Sequence, residues 1–258
     1  MQTDILGVPI DAQPFDEALA TLTAWARDLS GRRYVCACPV YTLMQARDHD
    51  DVRAALRGAA MVTADGMPLV WVQRRGGHAQ AERVYGPDVL LALCERTAGT
   101  SVSHYFYGGL PGVPEKLAEN LRARFPALDV AGAYSPPVAP LEAAPDPAVI
   151  ARLNASGAQV IWVGLGSPKQ DVWMARYRPA LDAPLLIGVG AAFDFLAGTK
   201  AQAPRWMQRR GLEWLFRLLQ EPGRLWRRYL VYNTRFLWAL LMSRLNPKPP
   251  QFRVTSDK

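Results

Sequence analysis

The chain has 258 residues, 30 Lys and Arg against 23 Asp and Glu, 50% hydrophobic residues and 21% charged ones. This composition excludes an intrinsically disordered chain and leaves room for one large α/β domain or two small ones. The net charge of +7 is unevenly spread: residues 196–258 hold 13 Lys and Arg against Glu213, Glu221 and Asp257, a balance of +10, which leaves residues 1–195 at −3.

The opening MQTDILGVPIDA has no basic stretch followed by an apolar one, so no secretory signal is expected. Phe15–Leu29 has helical spacing, with Ala18, Leu22, Trp25 and Leu29 on one face. Tyr34–Cys38 reads as a buried strand. Gln45–Leu56 reads as a solvated helical stretch, and the Asp48-His49-Asp50-Asp51 run within it as a charged helix face. Further strands are expected at Met61–Ala64, His104–Tyr107, Val130–Tyr134, Val160–Val163 and Leu185–Ile187. Helices are expected at Asp88–Ala98, Pro114–Phe125, Pro147–Ala155 and Pro168–Tyr177, three of them opening on a proline suited to a first helical turn. Strands alternating with helices predict a mostly parallel, doubly wound sheet. The proline-rich Ser135–Pro147 segment reads as a surface connection.

From Pro204 onward, apolar residues at helical spacing are mixed with arginines and with four of the eight tryptophans. Pro222 and Gly223 divide this stretch into two predicted helices, Arg205–Gln220 and Gly223–Leu245. The expected organisation is a core over 1–195 and a helical, basic appendage over 196–258, with a boundary near 196–204. The most apolar tail segment, Tyr229–Met242, is interrupted by Asn233, Thr234 and Arg235, short of the ~20 apolar residues that a spanning helix needs.

In doubly wound sheets the ligand lies beyond the carboxyl ends of the strands, where glycine-rich turns expose backbone N–H groups. Four predicted strands end that way: at Asp65-Gly66, at Gly108-Gly109, at Gly164-Leu165-Gly166-Ser167-Pro168-Lys169-Gln170 and at Gly188-Val189-Gly190. Shared along one sheet edge, these turns suit a phosphate-bearing ligand. Neither G-x-x-x-x-G-K-[ST] nor a G-x-G-x-x-G at the first strand–helix turn is present, which argues against a P-loop enzyme and a standard NAD(P) dehydrogenase. Asp65 follows an apolar strand, so its carboxylate projects at the strand end. Two readings stand for it: a turn or cap aspartate, or a general base that deprotonates an attacking hydroxyl.

His49, His78 and His104 do not pair with acids or cysteines at ligand spacing, and no metal site is expected. The three cysteines, an odd number, predict no disulfide framework. Cys36 and Cys38 sit two apart on a strand and share a face, as buried thiols do. The arginine-rich tail fits anionic lipid, nucleic acid or a merely solvated helix face. Its interleaved Trp206, Trp214, Trp226 and Trp238 favour the lipid interface, and the rest of the chain offers no basic groove for nucleic acid.

Taken in order, Asp65-Gly66-Met67-Pro68, Arg83-Val84-Tyr85-Gly86-Pro87-Asp88, Tyr134-Ser135-Pro136-Pro137, the Gly164–Gln170 turn, Gly188–Asp194, Gln202–Trp206, Gly211-Leu212-Glu213-Trp214 and Gln220-Glu221-Pro222 resemble the WecG/TagA/CpsF glycosyltransferases, glycosyltransferase family 26. The likeness spans roughly residues 5–245. It implies a Rossmann-like α/β fold and inverting, metal-independent transfer of a sugar, often N-acetylmannosamine, from a UDP-sugar to a polyprenyl-diphosphate-linked sugar. No cofactor is expected. The resemblance places the protein on the inner face of the cytoplasmic membrane, in the synthesis of teichoic acid, enterobacterial common antigen or exopolysaccharide.

It also makes Asp65 the candidate base and Gln170 the active-site glutamine. Tyr134 and Asp194 are implied to contact the uracil, and Gly108, Gly109, Gly164 and Gly166 to border the diphosphate. Arg83 and Cys36 complete the implied substrate contacts in the core. Arg217, Arg224 and Arg227 are the implied arginines of an appendage that closes over the site and engages the membrane and the lipid diphosphate. Where many members carry Thr-x-Asn, this chain has Cys36-Ala37-Cys38. That departure bears on sugar choice and supports a rival expectation, a non-catalytic binding protein for a UDP-sugar or lipid carrier. Homo-oligomerisation is left open by the sequence.

Overall fold

The computed structural model describes residues 1–140 and 144–245. All six expected strands form. They are β3 (Arg33–Cys38), β4 (Met61–Ala64), β5 (Ser103–Gly108), β6 (Asp129–Tyr134), β7 (Val160–Gly164) and β8 (Leu185–Gly188), preceded by a short hairpin of β1 (Gln2–Ile5) and β2 (Val8–Asp11). The sheet order is β1-β2-β4-β3-β8-β7-β5-β6, and only β1 runs antiparallel to its neighbour. The result is a Rossmann-like α/β fold with a topological reversal beside β3. The period of two sorts side chains between two cores. Cys36, Tyr105, Ile161, Val163 and Leu186 face one, while Val35, Phe106, Val160, Trp162 and Ile187 face the other. Central strands buried on both faces explain why their sequences read as continuous apolar runs.

The helices are α1 (Phe15–Arg27), α2 (Val40–Asp48), α3 (Asp50–Gly58), α4 (Met67–Arg75), α5 (Gly86–Thr97), α6 (Val113–Arg124), α7 (Pro147–Ala155), α8 (Lys169–Tyr177) and α9 (Ala192–Leu196). The stretch expected as one helix over Gln45–Leu56 is two, separated at His49, whose φ of −131° and ψ of 120° are extended. Asp50 and Asp51 then open α3, where carboxylates favour the helix N-terminus.

After α9 the chain forms α10 (Arg205–Arg209), α11 (Glu213–Gln220), α12 (Pro222–Trp226), a π turn (Arg227–Val231) and α13 (Tyr232–Leu245). The helix expected over Arg205–Gln220 is thus broken, at Gly211. Its φ is +69°, and a Cβ there would lie 3.0 Å from Trp71 and 3.1 Å from Met67. Only glycine lets the chain turn that close to α4. These C-terminal helices, the expected appendage, pack against the sheet and α2. Phe236 is 2% exposed within the same apolar cluster as Cys36, Arg235 pairs with Asp48 at 2.8 Å, and the Gln45 amide donates to the Tyr232 hydroxyl at 3.1 Å. The charges counted at Lys248, Arg253, Asp257 and Lys258 lie outside the described residues.

His104, fully buried on β5, fixes one tautomer. The Trp162 indole N–H donates to its Nδ1 at 3.0 Å, so Nε2 carries the proton and reaches Thr97 Oγ1 at 2.8 Å. Burial pushes the imidazole pKa down to about 4 from 6.5. Below pH 6.5 the unfolded chain therefore binds a proton that the folded one refuses, and stability falls as pH drops toward 4. The expected loss is up to about 3 kcal/mol. The buried Asp171 carboxyl, pushed up to about 7 by desolvation, contributes with the opposite sign over the same window. The check is therefore a difference: urea unfolding at pH 7.5 and 4.5 should show H104Q losing less stability than the wild type. Equal losses would place the proton uptake elsewhere.

Candidate active site

The carboxyl ends of β3, β4, β5, β7 and β8 open on one sheet edge into a cavity of about 340 Å³. Gly109, Gly164, Gly166 and Gly190 bring backbone to its wall. The turns can lie this close because Gly108, at φ +125°, packs against Gly164 backbone where a Cβ would come within 2.6 Å. Five cations reach the cavity, Lys169, Lys200, Arg217, Arg224 and Arg228, against two carboxylates, Asp65 and Asp194. This excess of positive charge suits a diphosphate.

Asp65 is half-buried at the end of β4. Its N–H donates to the Cys38 carbonyl at 3.1 Å, and its Oδ1 accepts from the Gly86 N–H at 3.2 Å. The residue before α4 is Gly66 and no side chain caps that helix, so Asp65 is not the cap of the helix that follows it. Burial pushes its carboxyl pKa up; Arg83, the Gly86 N–H and Arg217 oppose the shift, while Glu213 adds to it. A second cavity of about 100 Å³ lies beside the first, lined by Tyr41, Met67, Arg83, Trp214 and Tyr229 among others. Asp65, Pro39, Arg217 and Arg228 border both.

Gln170 is 1% exposed yet borders the larger cavity. Its Oε1 accepts from the Gly166 N–H at 3.2 Å and its Nε2 donates to Ser167 Oγ at 3.0 Å, which fixes the amide's orientation. Asp194, in the first turn of α9, pairs with Lys200 at 3.4 Å; Lys200 also meets Glu221 at 3.2 Å, and Glu221 holds Arg224. Asp194 is thereby linked to the appendage.

The structure gathers Asp65, Gln170, Gly109, Gly164, Gly166, Asp194, Arg217 and Arg224 around the larger cavity and Arg83 around the smaller one. Four residues expected to contact substrate line neither. Cys36 is fully buried, because strand alternation turns its thiol into the core beside Asp171 and leaves Ala37 at the cavity. Gly108 is tucked behind Gly109. Tyr134 ends edge strand β6 with the Arg152 guanidinium 4.2 Å over its ring, and the following Pro136, Pro137 and Val138 line the cavity instead. Arg227 is exposed beside Trp226.

Arg228, which the sequence reading did not single out, lines both cavities, and Arg227 lines neither. Arg228 lies four residues from Arg224 on the same helical face, half-buried, with its guanidinium 4.6 Å over the Tyr41 ring. Sequence alone offers two adjacent arginines and no helical phase to choose between them. Glu213, not singled out by the sequence reading, lines the smaller cavity; it pairs with Arg83 at 2.8 Å and accepts from the Tyr85 hydroxyl at 2.9 Å. Among the described residues no three His, Cys, Asp or Glu side chains are grouped to hold a metal ion.

The sequence profile of the Glycosyl transferase WecG/TagA/CpsF family matches residues 3–250. The chain belongs to this family. It is therefore a glycosyltransferase, which works on a sugar donor and an acceptor, and the family's setting is cell-surface polysaccharide biosynthesis. The cationic cavity and the adjoining smaller one share the Asp65 carboxylate on their walls. No helix among the described residues is long and apolar enough to cross a membrane.

Proposed function

We propose that this enzyme transfers a sugar from a UDP-sugar to a sugar carried on a polyprenyl diphosphate, inverting the anomeric centre. The observation that carries the reading is the position of Asp65, which borders both cavities. The nucleotide sugar occupies the larger one, its diphosphate among the glycine turns and Arg217, Arg224 and Arg228. The acceptor hydroxyl enters from the smaller one. Asp65 takes the hydroxyl proton as the acceptor oxygen bonds to the anomeric carbon. The bond from that carbon to the phosphate oxygen breaks, and its electron pair leaves on UDP. The guanidinium groups stabilise the charge growing on the leaving diphosphate, and the reaction needs no metal or other cofactor. Gln170, fixed by Gly166 and Ser167, faces the transferring sugar, an N-acetylhexosamine such as N-acetylmannosamine. The Cys36 and Cys38 thiols lie beneath the floor, so the sugar meets Ala37 and Gln170 there.

The acceptor lipid is met at a membrane surface. Leu219, Trp226, Leu230, Leu237, Trp238 and Leu241 are all exposed on the appendage, beside its arginines, an apolar and cationic combination that suits an anionic leaflet. Such an enzyme rests on the inner face of the cytoplasmic membrane. The test is UDP release from a panel of UDP-sugars, with and without a synthetic polyprenyl-diphosphate-linked sugar. One UDP-sugar should give acceptor-dependent release; a panel with no such member would refute the assignment.

A further inference from the structure

We infer that Glu213 is a positioning residue that couples docking of the appendage to the reactivity of Asp65, acting through Arg83. The inference rests on the reading of Asp65 as the base. Glu213 is the first residue of α11, on the appendage, whereas Arg83 and Tyr85 lie on the core loop between α4 and α5. Both carboxylate oxygens of Glu213 are engaged: Oε2 accepts from Arg83 Nη2 at 2.8 Å and Oε1 from the Tyr85 hydroxyl at 2.9 Å. Gln202 donates to the same hydroxyl at 3.3 Å. Arg83 in turn stacks 3.7 Å over the Tyr85 ring and donates through Nε to the Asp65 carbonyl. One guanidinium thus bridges the appendage and the backbone of the base.

The pair is shielded from solvent, with the Arg83 side chain 16% exposed and that of Glu213 12%. Breaking such a pair leaves a poorly solvated charge behind, unlike the loss of an exposed ion pair. Here the stranded charge would be Arg83, next to Asp65. Several groups act on the Asp65 carboxyl. Arg83 comes from the loop, Glu213 and Arg217 from α11 and Arg228 from the π turn; Tyr85, Cys38 and Asp171 are coupled to it from the loop, β3 and α8. Arg83 favours the carboxylate and Glu213 disfavours it. With the appendage docked, Glu213 offsets Arg83 and Asp65 keeps its proton affinity. With Glu213 removed, Arg83 faces Asp65 uncompensated, the carboxylate is overstabilised, and it becomes a weaker base. Within the docked state, Glu213 thereby sets how strongly Arg83 acts on the base.

The experiment is a carbon-13 NMR titration of the Asp65 carboxyl in the full chain, with D65N used to assign the resonance. Compared with the wild type, E213Q should titrate at lower pH, by about one unit or more. The acceptor-dependent kcat should fall roughly ten-fold, with donor KM within two-fold. An unshifted Asp65 midpoint in folded E213Q overturns the coupling whether or not a donor has been found. Substantial turnover by D65N overturns instead the reading on which it rests. R83Q/E213Q buries no unpaired charge and serves if E213Q does not fold. It too should lose roughly ten-fold in kcat, because Asp65 loses its tether; a wild-type kcat would overturn the proposal.

Discussion

Replacing Asp65 by asparagine is expected to lower acceptor-dependent turnover by roughly 10²–10⁴-fold, the range that a positioned general base contributes. Asparagine keeps the shape and can still accept from the Gly86 N–H that holds Oδ1, so the turn between β4 and α4 should survive. What it lacks is a lone pair basic enough to take the acceptor's proton. UDP affinity, measured by calorimetry, should stay within a few-fold, because the glycine turns and arginines that bind phosphate are untouched. Turnover within ten-fold of wild type, in a protein that still binds UDP, would remove Asp65 from the chemistry. The carboxyl's raised pKa has a further consequence. As pH falls Asp65 gains its proton earlier than an ordinary aspartate, and the acid limb of the kcat/KM profile should lie above 3.8.

The second large effect concerns two neighbouring arginines. Arg228→Ala should cost roughly 10²-fold in kcat, comparable with removal of one charge-stabilising donor from an active site. Arg227→Ala should change kcat by less than about three-fold, as for exposed charges far from a site. Arg228 borders both cavities and is desolvated, which pushes its pKa down, and no carboxylate pairs with it among the described residues. Its removal breaks no ion pair and costs the stacking on Tyr41, so R228A should melt only slightly below the wild type. If R227A is the impaired variant and R228A is not, then Arg227 rather than Arg228 serves the cavity and the π turn is phased differently.

This contrast also marks what could be read from the sequence. Apolar runs such as Val160–Val163 declare their strands because both faces are buried, and the glycine turns after them declare the sheet edge where a ligand sits. The hairpin of β1 and β2 was missed because four-residue strands such as QTDI offer too few positions for a period of two to show. Helix α4 was missed as well, since Met67–Arg75 follows the Asp65-Gly66 turn directly and mixes buried Leu69 and Val70 with exposed Trp71. Which face of β3 turns to the cavity depends on what packs below it; Ala37 faces the site and Cys36 the core, a choice that the strand's own residues do not encode. The break at Gly211 and the widened turn at Arg227–Val231 likewise depend on contacts with the core. They decide which arginines and which glutamate of the appendage reach Asp65. The family motifs converge on the sheet edge where the cavities open, and tertiary packing decides which of their residues line them.

The central claim is a single displacement at the anomeric carbon, driven by one carboxylate between two chambers. It is tested most directly by the anomeric configuration of the product, read by proton and carbon NMR on the glycan released from the synthetic acceptor. The account predicts a linkage opposite to that in the UDP-sugar consumed. A product with the donor's configuration would require two displacements and a nucleophile that this mechanism does not contain, and would contradict it.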